Sequence, residues 1–122
     1  CMLIRSEVFK DIGLLDENTF LYEEEFILSE KLKDTNYMVY THPDAQIIHK
    51  GAHSSTKLKA FCKLEWYKSE KYFVNKYRPL PIIQNLLLVL VRVVEYFYNS
   101  IFFKDYRVYL KHFIKDVIFT RQ

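Results

Sequence analysis

The second half of the chain is a nearly continuous run of helix-forming sequence, and this feature limits the possible folds more than any other. The main interruption after residue 58 is Arg78-Pro79-Leu80-Pro81, where each proline removes a backbone donor and restricts the residue before it. The pattern predicts helices over residues 58–77, 82–103 and 106–119. Half of all residues are hydrophobic and only two are glycine, so a disordered or collagen-like chain is excluded.

The first half contains shorter predicted elements. Apolar, β-branched and aromatic residues predict three strands, over residues 1–5, 37–41 and 45–49. Between the strands, Ser6 is expected to cap a helix over residues 7–12 that Gly13 ends. A second helix is predicted over residues 24–35, with Phe26, Ile27, Leu28 and Leu32 on its inner face. The first half is therefore predicted to contain both strands and helices, and the second half to be helical.

Charge is divided unevenly between the two halves. Residues 1–56 hold five Lys/Arg against ten Asp/Glu, a balance of −5, and residues 57–122 hold thirteen against five, a balance of +8. The acidic half suits a metal or a cationic transition state, and the basic half suits phosphate, anionic lipid or nucleic acid. A solvated basic surface is the alternative for the basic half. The two cysteines form no CxxC pair, which favours a reducing compartment and unreactive thiols.

Two of the predicted helices have apolar or cationic patterns that bear on membrane binding. The longest uninterrupted apolar run in residues 82–103 is 86–91, far shorter than the roughly 20 residues of a membrane span, so this segment is predicted to be an amphipathic helix rather than a span. Residues Arg107, Lys111 and Lys115 recur every four positions opposite an apolar face. That pattern is typical of a helix on an anionic membrane surface, and a helix docked on the protein itself is the alternative.

Three consecutive acids, Glu23, Glu24 and Glu25, follow an aromatic run and precede a helical pattern. Adjacent carboxylates repel one another, so the pKa of at least one of them should be raised, which would suit a general base. In the simpler interpretation, acids at a helix N-terminus only stabilise the dipole, each by roughly 0.3–1 kcal/mol. Glu23 is expected to be solvated.

Four segments, in order, resemble the C-terminal half of family 2 glycosyltransferases, most nearly the rhamnosyltransferase-like branch. The segments are CMLIRSEVF (1–9), FLYEEE (20–25), IHKGAHS (48–54) and EKYFVNKY (70–77). The resemblance implies a GT-A fold, a nucleotide-sugar diphosphate donor and a divalent metal, Mg²⁺ or Mn²⁺. The sequence begins without methionine and contains no DxD. We therefore expect a fragment that is inactive without an N-terminal donor-binding half.

Site residues follow from this resemblance position by position. Glu24 and Glu25 match the acidic pair of the family, which makes Glu25 the candidate general base, and His49 matches a histidine that completes the metal shell. His53 is close enough in sequence to compete for that role. A second set is expected to approach the diphosphate: Lys50, Ser54 and Ser55. The chain departs from the pattern because Glu25 stands where Asp is usual and Ile27 replaces a second acid.

The resemblance implies an α/β fold, with the C-terminal part of a GT-A mixed sheet over residues 1–57, and a basic helical tail follows over residues 58–122. The expected activity is inverting transfer of a sugar to a glycan or lipid-linked acceptor in cell-surface polysaccharide synthesis. The expected location is cytoplasmic, peripheral to the inner face of the cell membrane. An exposed strand edge would favour a homo-oligomer. The alternative is a non-catalytic membrane-surface or assembly module. Nucleic-acid binding is disfavoured because the lysines alternate with a continuous apolar face and no recognition motif is present.

Overall fold

The computed structural model describes residues 2–48 and 58–119, and every regular element in those ranges is helical. Four helices come first in chain order: α1 (Ser6–Ile12), α2 (Glu24–Leu32), α3 (Lys59–Tyr77) and α4 (Ile82–Phe102). Two short helices follow, α5 (Lys104–Val108) and α6 (Leu110–His112), and then a π-helix over Phe113–Phe119. The predicted boundary after residue 57 falls outside the described residues and stays a prediction.

The prediction of an α/β mixed sheet of GT-A type is wrong for the part of the chain that the structure describes. Residues 2–5, 37–41 and 45–48 form no strand there, although their composition is typical of strands. Their large apolar side chains are mostly open to solvent, as for Leu3, Val39 and Ile48. A strand is stabilised by a paired neighbour and by packing of its side chains. Composition alone supplies neither.

The helix predictions were more accurate than the strand predictions. Helices α1 to α4 lie within three residues of their predicted limits, and Gly13 ends α1 with the expected positive φ of 75°. Ser6 does not cap α1, because it is the first helical residue and Arg5 precedes it without a side-chain cap. On α2, Ile27 and Leu28 are buried as predicted, but Phe26 is exposed.

The last predicted helix is divided by a turn at Tyr109 into α5, α6 and the π-helix. Helix α5 folds back against α4, and the π-helix packs on α3. A polar contact fixes the second arrangement, since Nζ of Lys71 donates to the carbonyl oxygen of Val117 at 2.7 Å. The turn at Tyr109 and the packing of the π-helix on α3 bury Phe113 and Val117 in the interior.

Aromatic side chains from α3, α4 and the π-helix form the core. Tyr96 and Phe113 are completely buried and stack with ring centroids 4.0 Å apart and planes 3° apart. Tyr67 of α3 lies against both rings, and its hydroxyl donates to Oε2 of Glu95 at 2.6 Å. Burial raises the pKa of Tyr96 to about 12, so these phenols stay neutral near pH 7. The core therefore joins three helices through stacked rings whose hydroxyl groups have partners at the edge of the cluster.

Replacing Phe113 with alanine tests this core. Because the ring is fully buried, Phe113→Ala should lower the free energy of unfolding by about 3–5 kcal/mol. The matched control is Phe119→Ala, the same substitution at a side chain that is 75% exposed, with an expected effect within about 0.5 kcal/mol. Urea denaturation followed by circular dichroism measures both, and equal losses in the two variants would contradict the assigned core.

Candidate functional site

The acidic segment enters α2 through an unusual turn. Tyr22 and Glu23 both have φ of 68°, a left-handed conformation that non-glycine residues adopt rarely and that costs free energy. Two contacts with α3 hold the turn. Oγ of Ser69 donates to the carbonyl oxygen of Leu21 at 2.6 Å, and Nε1 of Trp66 donates to Oε1 of Glu23 at 3.3 Å. Helix α3 therefore fixes the direction in which α2 begins.

Glu24 and Glu25 occupy the first turn of α2, and both are exposed to solvent. Their position fits the predicted helix N-terminus, where the helix dipole favours negative charge. Exposure also leaves both carboxylates accessible to a substrate hydroxyl. Their assignment as catalytic residues is untested and stays a prediction.

Glu23 is the acid whose environment is most altered, contrary to the expectation that it is solvated. Its side chain is partly buried beside Trp66. Burial raises the pKa of Glu23, and the negative charges of Glu70, Glu25 and Glu24 raise it further, while the hydrogen bond from Trp66 opposes these effects. One carboxyl in the cluster thus has a raised pKa, as predicted. The leading cause is burial rather than repulsion between neighbours.

Asp16 anchors the loop that precedes this turn. Its side chain is only 4% exposed, and its carboxylate accepts hydrogen bonds from four neighbours: Asn18, Tyr72, Lys76 and Tyr77. Burial would raise the pKa of Asp16, but the hydrogen bonds from Tyr77, Asn18 and Tyr72 outweigh it and hold the pKa well below 3.8. An ionised carboxylate therefore attaches the loop to the C-terminal end of α3.

A cleft of about 410 Å³ opens beside the acidic turn. Its lining combines aromatic and cationic side chains with one cysteine: Tyr22, Lys59, Cys62, Lys63, Trp66 and Tyr106. Nζ of Lys63 lies 4.1 Å from the centre of a Trp66 ring and pairs with Glu95. A flat aromatic surface suits the apolar face of a sugar ring, and ammonium groups suit phosphate. The cleft is connected to the acids through Trp66, which borders the cleft and hydrogen-bonds Glu23.

The residues predicted to bind the metal and the diphosphate lie outside the described residues. They are His49, Lys50, Ser54 and Ser55, and the competing His53 lies outside as well. Within residues 2–48 and 58–119, no group of three or more His, Cys, Asp or Glu side chains could hold a metal ion. Because His49 lies outside the described residues, the metal stays a prediction.

Three important residues of this region escaped sequence reasoning. The four segments that carry the resemblance contain none of Asp16, Lys63 and Trp66. The partners Tyr72, Glu95 and Glu23 are distant in sequence, so spacing gives no sign of these contacts. The available sign was that Trp66 is the one tryptophan of the chain, because tryptophan combines a large apolar ring with a donor that needs a partner when buried.

Comparison with known proteins gives a partial match. The chain is 30% identical over 74 residues to the N-acetylglucosaminyl-diphospho-decaprenol L-rhamnosyltransferases of Mycobacterium tuberculosis strains CDC 1551 / Oshkosh and ATCC 25618 / H37Rv. The match covers 61% of this chain but only 24% of those relatives, so the chain spans about a quarter of the length of the proteins it matches. No protein-family model matches the chain, and no solved structure matches it significantly. The similarity supports a glycosyltransferase-like relationship.

The fluorescence of Trp66 should report the titration of Glu23. Since Trp66 donates to Glu23 and is the single tryptophan, its emission should change with pH at a midpoint above 4.5, the ordinary value for a glutamate. Above pH 4.5 the folded chain then holds more protons at this site than the unfolded chain, so stability should fall as pH rises through the folded pKa.

Glu23→Gln should remove both the fluorescence transition and that part of the stability loss. Glu7→Gln, which changes an exposed acid in the first turn of α1, is the control and should retain both. A wild-type midpoint at or below 4.5 would show that Glu23 is not desolvated.

Proposed function

We propose that the chain is part of a glycosyltransferase and that the acidic turn and the adjacent cleft together form its acceptor side. One observation carries the proposal. The acidic turn at the start of α2 borders a cleft of aromatic and cationic side chains, because Tyr22 lines the cleft and Glu23 accepts a hydrogen bond from Trp66, which also lines it. The same chain has partial similarity to a rhamnosyltransferase. Neither feature alone distinguishes an enzyme from a binding module. Their combination supports a site that handles a sugar and a phosphate together.

In the proposed reaction, Glu25 accepts the proton of the acceptor hydroxyl. The acceptor oxygen forms a bond to the anomeric carbon of the donor sugar from the face opposite the leaving group. The bond between that carbon and the diphosphate oxygen breaks, and the nucleoside diphosphate leaves with its electron pair. The configuration at the anomeric carbon is therefore inverted. An exposed carboxylate at a helix N-terminus is accessible to the incoming hydroxyl, as this role requires.

The cleft side chains have roles in binding within the same proposal. Tyr22 would stack on a sugar ring, while Lys59 would contact phosphate oxygens. Glu23 would hold Trp66 in place through its hydrogen bond. These roles concern orientation and binding, and the proton transfer belongs to Glu25.

The proposed class of substrate is based on the name of the relatives. Their name describes transfer of L-rhamnose to N-acetylglucosamine joined through a diphosphate to decaprenol. We propose a nucleotide-sugar donor and a lipid-linked diphosphosugar acceptor for this chain as well. A lipid-linked acceptor also agrees with the cationic side chains of the cleft, since its diphosphate is anionic.

Glu25→Gln separates this function from a non-catalytic module. In the full-length protein that carries this sequence, the substitution should lower transfer of L-rhamnose to the lipid-linked acceptor by roughly 10²–10⁴-fold, the range for loss of a general base. Glu7→Gln removes a matching exposed acid from the first turn of α1 and should leave transfer unchanged. Wild-type transfer by Glu25→Gln would exclude its role as the base and favour the non-catalytic alternative.

A further inference from the structure

Helix α4 has a polar face and an apolar face, and its polar face is the one turned toward the protein. Arg92 is 2% exposed, and its Nε donates to Oε2 of Glu70 on α3 at 2.9 Å. Glu95 pairs with Lys63 and accepts from Tyr67, both on α3. Both charged residues of α4 are therefore paired with residues of α3.

The opposite face of α4 is apolar and open to solvent. Ten side chains on it are between 41% and 73% exposed: Ile83, Leu86, Leu87, Leu90, Val91, Val94, Phe97, Tyr98, Ile101 and Phe102. At 3.6 residues per turn these positions fall on one side of the helix and include no charged residue. Soluble monomers rarely expose a continuous apolar patch above a few hundred Å², and larger ones mark interaction sites. This face is therefore a candidate interaction surface.

Helix α4 is long enough either to cross a lipid bilayer or to lie flat on it. Its contacts with α3 distinguish these two orientations. The helix is long and apolar enough to cross a membrane by length and composition, with only 17% of its most apolar stretch buried in the protein. The sequence analysis predicted no membrane span in this helix, because its longest uninterrupted apolar run is only residues 86–91. Crossing, however, would carry the Arg92–Glu70 and Lys63–Glu95 pairs into hydrocarbon together with α3, which is costly. A helix lying flat in the interface avoids that cost, because only its apolar face enters the lipid.

Charge favours anionic lipid over a second copy of the chain. Lys104, Arg107 and Lys111 follow α4 directly and are exposed, and the half of the chain from residue 57 onward carries a net charge of +8, from thirteen Lys/Arg and five Asp/Glu. Two copies paired in parallel through α4 would bring these like charges together. An anionic headgroup layer would instead attract them, by about 1 kcal/mol for each cation near the surface.

We propose that α4 is a membrane-docking helix that lies flat on an anionic bilayer. Its outward face enters the acyl boundary around Leu87, Leu90 and Val94, and Lys104 and Arg107 contact the headgroups. The apolar face of α4 was not part of the membrane contact predicted from the sequence, whereas Arg107 belongs to the basic ridge predicted on the last helix. The docking does not depend on the chemistry of Glu25, so either proposal can fail while the other stands.

Vesicle co-sedimentation of the 122-residue chain tests the docking. Leu90→Glu with Val94→Glu should weaken binding to phosphatidylglycerol–phosphatidylethanolamine vesicles by roughly tenfold or more, because it places charge in the apolar face. The matched control is Val39→Glu with Ile47→Glu, which adds the same charge at apolar side chains that are 83% and 61% exposed elsewhere and should bind like the wild type. Wild-type binding to pure phosphatidylcholine should be weaker than to the anionic vesicles.

The possible results divide clearly. Equal binding by both double variants, or no binding by the wild type, would overturn the proposal. A lipid-free dimer that only the α4 variant dissociates, with no vesicle binding, would make a second copy the occupant and would also overturn it. Circular dichroism establishes that each variant is folded.

Tryptophan depth measurements distinguish a flat helix from a crossing one. Single tryptophans replace Ile83, Leu90 or Ile101 in a Trp66→Phe background, and lipids brominated at different depths quench them. A flat helix predicts similar depths at all three positions. A deep centre at Leu90 with shallow ends at Ile83 and Ile101 would show that α4 crosses the bilayer and would contradict the proposed orientation.

Discussion

A buried carboxylate, Asp16, joins the acidic first part of the chain to the long helix α3. Its side chain is 4% exposed and accepts hydrogen bonds from Tyr72, Lys76 and Tyr77 at the end of α3. A buried charge is tolerated only when paired and hydrogen-bonded, so this loop has few alternative positions. The strained turn at Tyr22 and Glu23 follows a few residues later, and the start of α2 depends on it. The position of all three glutamates thus depends on this attachment.

Helix α3 links two surfaces that have different chemistry. On one side it holds the acidic turn and lines the cleft through Trp66 and Lys63. On another it pairs with Arg92 and Glu95 of α4, and the apolar face of α4 is directed outward. A glycosyltransferase that acts on a lipid-linked acceptor needs both a sugar site and contact with the bilayer. The proposed sugar site and the proposed membrane-docking face are physically compatible, because α3 positions both of them.

The sequence was informative where local rules decide the structure. Periodicity and proline located α3 and α4 almost to the residue, and Gly13 ended α1 as expected. The strand predictions failed because a strand depends on a pairing partner that is distant in sequence. Residues 37–41 have the composition of a strand but no strand to pair with in the described ranges. For the site, the helix N-terminal position of the acids was predictable. The burial of Glu23 was not, because it arises from Trp66, which is 43 residues away.

Amide hydrogen exchange in Asp16→Asn, compared with the wild type, tests the attachment of the acidic segment most directly. If Asp16 holds this segment on α3, the amides of α2 should exchange about tenfold faster or more in the variant, since loss of a buried hydrogen-bonded charge lowers the cost of local opening. Amides of α4 near the Tyr96–Phe113 stack should change less, because that core does not involve Asp16. Unchanged exchange in α2 would contradict the account.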